Sequence, residues 1–149
     1  MLSPGEEPVD PDVIPGDVPQ SRVWDILLVV ALGGALGGAA REAVNLALAG
    51  HLFPWATFTV NVVGSLLIGV LMYYVVEVNP DHRYVRPFLG VGVLGGFTTF
   101  SAYAVETRGL LTDGQVPLAL LYVFGSLLLA LLATWAGLGL GRRLMGGDR

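Results

Sequence analysis

Polar side chains are sparse in the body of this chain, and those able to do chemistry fall inside stretches that are otherwise apolar. The densest group is Gly95-Gly96-Phe97-Thr98-Thr99-Phe100-Ser101, set in an uncharged run from Pro87 to Val105. Asn61 stands alone in Thr59-Val60-Asn61-Val62-Val63-Gly64-Ser65. Tyr122, Ser126 and Thr134 follow one helical row at i, i+4 and i+12, with Ala130 at the missing i+8 place. Amide and hydroxyl groups donate hydrogen bonds without a fixed charge. Phe100 and Tyr103, three apart on one helical side, add electropositive ring edges. Such a lining suits a small anion whose hydration is replaced and which must also leave. It suits a cation poorly, since Glu77 and Glu106 lie near span ends and no carboxylate lies at mid-span. Each feature also has a plainer reading. Asn61 serves equally as interhelical glue, the hydroxyls as donors to their own i−4 carbonyls, the two aromatics as core packing, and Gly95-Gly96 as a close helix contact.

Composition decides what kind of solvent these residues meet. The chain has 149 residues, one domain by length. It is 54% hydrophobic and only 13% charged, with a mean hydropathy of +0.68. The helices of a soluble bundle would show a polar face, and these runs show none. The first 25 residues hold six acids against Arg22 alone, so the net charge of −4 belongs to a leader. From Ile26 onward six acids face seven arginines. The leader also carries five of the nine prolines, and too little apolar surface to offset its ordering entropy. Residues 1–23 are therefore expected to be a disordered, acidic, proline-rich cytosolic tail, without the basic start of a secretory signal.

No enzyme is expected. There is no cysteine, and His51 and His82 both fall in connectors. Gly33-Gly34-Ala35-Leu36-Gly37-Gly38 does not follow a strand, and no phosphate-loop lysine exists. Its small residues four apart read as a helix-packing face. No nucleic-acid partner is expected either; the partner is a lipid bilayer.

Charge-free runs divide the body into four spans, since about 20 apolar residues cross a bilayer. The expected helices are 24–48, 57–78, 87–111 and 116–141, the third broken near Gly95 in mid-membrane, with residues 142–149 a short basic tail. Non-helical backbone at that depth needs cover from protein or a water-filled cavity. Half-helix ends there are where ion sites are built. With four spans, Arg22, Arg83, Arg86, Arg142, Arg143 and Arg149 share one side, against Arg108 and Arg41. The positive-inside rule then puts both termini in the cytosol of a multi-pass plasma-membrane protein.

Taken in order, Gly33–Arg41, Thr59–Ser65, Gly95–Ser101 and Tyr122-Val123-Phe124-Gly125-Ser126 resemble the Fluc (CrcB) family of fluoride channels. The resemblance runs from Gly33 to about Thr134 and leaves the leader outside. It implies a passive fluoride-exporting channel made of two antiparallel four-helix subunits with two pores, which lowers cytoplasmic fluoride. It further implies a structural Na⁺ at the dimer centre, required but not transported, held by the carbonyls of Gly95 and Thr98. The family's pore residues match Asn61, Phe100, Tyr103, Tyr122, Ser126 and Thr134, and Arg41 matches its vestibule arginine. Tyr103 replaces a phenylalanine, and Ala130 stands where the family commonly has a hydroxyl. Neither departure abolishes a pore, and both fit a subunit that pairs with a different partner, so the expected assembly is an antiparallel homodimer or a heterodimer with a paralogous subunit. Two rival classes stay open: a small four-helix proton-coupled exporter, for which Glu42 is the first-span carboxylate, and a non-conducting accessory subunit.

Overall fold

The structure, a computed structural model, describes residues 20–80 and 82–146. The expected disorder of residues 1–19 lies outside the described residues, as do Asp81 and residues 147–149. All regular structure among the described residues is helical. Helix α1 spans Gln20–Ala47 and starts inside the stretch assigned to the leader. The last leader proline is Pro19, so from Gln20 onward no proline ring or missing N–H obstructs a helix. Helix α2 spans Trp55–Tyr73 behind Pro54 and continues as a π-helical turn over Tyr74–Val78.

The third span is in two pieces. Helix α3 is π-helical over Arg86–Leu94 and closes with one α-helical turn, Gly95–Phe97. Thr98 is extended (φ −79°, ψ 159°), and helix α4 resumes over Ser101–Thr112. Helix α5 spans Val116–Met145 and passes the expected end at Gly141. Arg142 and Arg143 thus lie in its last turn, where a cation complements the helix dipole. Between α4 and α5, Gly114 takes φ 74°, and the Gln115 N–H donates to the Leu110 carbonyl at 2.8 Å, closing the helix end. Four helical segments are long and apolar enough to cross a membrane, of 25, 24, 27 and 30 residues. Their outward faces are rich in exposed leucine and valine, as a lipid-facing surface requires.

Small residues set the packing. A Cβ on Gly33 would meet the Phe88 carbonyl oxygen at 2.5 Å, and one on Gly37 would strike the Val93 carbonyl. From the other side, a Cβ on Gly92 would come within 2.9 Å of the Gly33 Cα, and one on Gly96 within 2.5 Å of the Gly34 carbonyl. α1 and α3 therefore touch backbone to backbone, a contact that only hydrogen side chains allow. The same device joins α2 to α5, where the Cα of Gly137 lies 3.1 Å from a Cβ placed on Gly69. At one end of the bundle Asp25 pairs with Arg83 at 3.8 Å. Tyr73 and Glu77 share a pocket with Arg142 and Met145. The start of α1, the second connector and the end of α5 thus lie at the same end.

Candidate functional site: a cavity beside the broken helix

Breaking a helix frees backbone groups that need partners. The Thr98 N–H and hydroxyl both donate to the Leu94 carbonyl, at 2.9 and 2.8 Å. At Thr99 the partner comes from α2. The Asn61 Oδ1 accepts the Thr99 N–H at 2.8 Å, and Asn61 Nδ2 donates to the Thr99 carbonyl at 2.9 Å. One side-chain amide thus satisfies one whole residue of unwound backbone. The Thr99 hydroxyl then accepts the Ala102 N–H at 3.2 Å and caps the start of α4. Because the Thr99 N–H turns to Asn61, the Gly95 carbonyl loses its ordinary i+4 donor. The Thr98 carbonyl receives a long contact, 3.5 Å, from Arg41 Nη1.

A cavity of about 680 Å³ opens beside this break. Gly95, Thr98, Asn61, Phe100, Tyr103 and Ser126 all line it, and no aspartate, glutamate, histidine, lysine or arginine does. Phe100 is 80% exposed, and its ring lies 5.8 Å from that of Tyr103. The Tyr103 hydroxyl donates to the Val123 carbonyl at 3.0 Å, so the extra oxygen is satisfied by α5. Ser126 is 6% exposed, and its hydroxyl is the one buried side-chain polar atom among the described residues with no partner. A buried donor left open costs about 1–3 kcal/mol, and the residue that carries it lines the cavity.

Three expected residues stand apart from that lining. Thr134 donates to its own i−4 carbonyl, Ala130, at 3.0 Å, the plainer of its two readings. Arg41 reaches the break from α1 and lines none of the cavity. Tyr122 is fully buried behind Tyr103, with ring centroids 5.1 Å apart. Its hydroxyl donates to Glu106 Oε2 at 2.7 Å, and Thr57 donates to Glu106 Oε1 at 2.8 Å. Sequence reasoning passed over Glu106 as a span-end residue. Its place three residues after Tyr103, itself three after Phe100, was the available signal.

The chemistry of this arrangement is that of neutral donors around an open cavity. Hydroxyls and ring edges can replace an anion's hydration, no lysine or arginine lines the cavity to trap it, and no metal-ligating cluster is found among the described residues.

Comparison with known proteins gives a consistent picture. A family profile described as CrcB-like protein, Camphor Resistance (CrcB), matches residues 28–138. The "Fluoride-specific ion channel FluC 1" of Streptomyces coelicolor is 52% identical over 80% of this chain and 79% of its own length. Two chains of Streptomyces avermitilis are also similar. Its "Fluoride-specific ion channel FluC 3" is 50% identical over 78% of this chain and 58% of the relative. Its "Fluoride-specific ion channel FluC 2" is 52% identical over 68% of this chain and 66% of the relative.

Proposed function

The chain belongs to the CrcB-like family, whose members are ion channels and not enzymes, and from that premise we propose that it conducts fluoride passively across the membrane. It is a multi-pass membrane protein with four apolar helices. The identity of the ion comes from the names of its relatives. The observation that carries an anion path in this chain is the cavity with no fixed charge, whose lining includes Ser126 with its buried, unpartnered hydroxyl. Fluoride is small and a strong acceptor, and a hydrogen bond to an anion is roughly twice as strong as a neutral one. Outward flow down its gradient would lower cytoplasmic fluoride.

Phe100, exposed on one chain, is suited to being covered by a second copy or a paralogue whose broken helix meets this one in antiparallel fashion. That two numbered relatives come from one organism supports a paralogous partner as an alternative to the homodimer. In either assembly the break would sit near mid-membrane, since twelve residues of α4 follow it and the nine π-helical and three α-helical residues of α3 precede it. The Gly95 and Thr98 carbonyls are hard neutral oxygens with spare lone pairs, and they fit a structural Na⁺. Such an ion would supply the positive charge that ties two breaks together, while Arg41 stands beside it at the Thr98 oxygen.

A proton-coupled exporter has one observation in its favour, the carboxylate of Glu106 held between Thr57 and Tyr122. Glu42, the first-span candidate, instead accepts from Asn45 on an exposed surface. Fluoride efflux from proteoliposomes containing this chain, alone and then with a paralogous CrcB-like chain, separates the readings. Efflux is expected without a proton gradient, and it should stop when Na⁺ on both sides is replaced by a large organic cation. Flux that requires a proton gradient selects the exporter. Flux only with the second chain selects a heteromer, in which loss of flux on Ser126→Ala in this chain separates a conducting from an accessory subunit, and flux indifferent to Na⁺ removes the sodium site.

A further inference from the structure

A second pocket, of about 570 Å³, opens beside the end of α2, the π-helical turn that follows it and the end of α5, at the end of the bundle that gathers the arginines. Met72, Val76, Leu138 and Met145 form its apolar wall, and Glu77 and Arg142 both line it. Neither charged side chain has a hydrogen bond or ion pair with any described residue, although both belong to one pocket. Glu77 lies in the final π-helical turn of the second span and Arg142 in the last turn of the fourth, so both stand at the edge of the apolar zone.

We infer that this pocket seats the headgroup of a phospholipid bearing both a phosphate and a primary ammonium. The phosphate pairs with the Arg142 guanidinium, whose planar donors suit phosphate oxygens. The ammonium donates to the Glu77 carboxylate, which accepts only. The acyl chains run down past Val76 and Leu138, both exposed to the lipid side. Glu77 disfavours a headgroup that is purely anionic, and a trimethylammonium headgroup has no N–H to donate to it. The pocket therefore selects one headgroup class by opposite charges at its two walls. This inference needs only that the chain is membrane-embedded and is independent of the ion it conducts.

Native mass spectrometry of the full chain, with equimolar phosphatidylethanolamine, phosphatidylcholine and phosphatidylglycerol of matched acyl chains, tests it. Phosphatidylethanolamine should be retained about fivefold over each of the others, the scale of one interfacial charge contact. Glu77→Gln should erase its advantage over phosphatidylglycerol, and Arg142→Gln should lower retention of all three. Arg143→Gln, which removes a charge from the same helical turn outside the pocket, should leave the preference intact. Equal retention by the native chain, a preference for phosphatidylglycerol, or a preference unchanged by both pocket substitutions would each overturn the site.

Discussion

Asn61 and Ser126 line the same cavity, yet one side chain is engaged through both its nitrogen and its oxygen and the other residue's hydroxyl is idle. Substitutions at the two should therefore part company. Asn61→Asp keeps an acceptor for the Thr99 N–H but sets a carboxylate oxygen against the Thr99 carbonyl 2.9 Å away. The lost hydrogen bond and unsatisfied carbonyl cost about 1–3 kcal/mol. A unit charge 4 Å from a passing anion adds ~4 kcal/mol of repulsion at an effective dielectric near 20. Both the melting temperature in detergent and fluoride efflux should fall; a variant that keeps both would show that Asn61 holds nothing. Ser126→Ala deletes an unpaired hydroxyl, so melting should hold or rise slightly while efflux drops severalfold. Undiminished efflux would remove Ser126 from the path. These two residues were legible in the sequence because a polar atom in an apolar run has to find a partner or a purpose. Glu106 was not, because its partners Thr57 and Tyr122 come from other spans and spacing along one helix cannot name them. Thr134 shows the converse: a regular row of hydroxyls, one of which simply bonds its own backbone.

At the scale of helices, hydropathy alone marks out all four spans, and their ends shift by only a few residues. Gly33 and Gly37 were legible as a packing face by their spacing. That α3 supplies the opposing Gly92 and Gly96 was hidden, since a pattern on one helix does not say which neighbour fills it. The π-helical geometry of Arg86–Leu94 had no signal in composition, because its residues would also suit an α-helix. Gly37→Ala tests the contact. Its methyl would meet the Phe97 amide nitrogen at 2.9 Å as well as the Val93 carbonyl, so α1 must back away from α3. Overpacking of this kind costs about 1–3 kcal/mol. Melting should fall clearly for Gly37→Ala and hardly for Gly38→Ala, whose Cβ would have nothing within 4 Å in this chain. Equal melting of the two variants would deny the backbone contact.

For the whole molecule, the reach of Arg41 to Thr98 alters the balance that orients the chain. Arg41 is held inside α1 against the break and drops out of the loop count, which leaves Arg108 against six arginines on the other side. Each such residue beside an anionic leaflet contributes about 1 kcal/mol, so insertion should be strongly one-sided, with the C-terminus in the cytosol. An antiparallel assembly would then need a partner chain of opposite bias. A C-terminal tag, probed from each face of cells that express only this chain, should respond from the cytosolic face alone. Comparable response from both faces would restore a homodimer of one sequence inserted both ways. The Asn61–Thr99 pair carries one more implication, and it concerns time. During synthesis the second span emerges before the third, so, with the break at the membrane depth proposed above, the amide that will receive the unwound backbone is in the bilayer before that backbone arrives. Were the order reversed, Thr99 would enter hydrocarbon with its N–H and carbonyl unmet, at a cost of several kcal/mol for each group. The order of birth along the chain thus lets a kinked strand of peptide settle against a template already made.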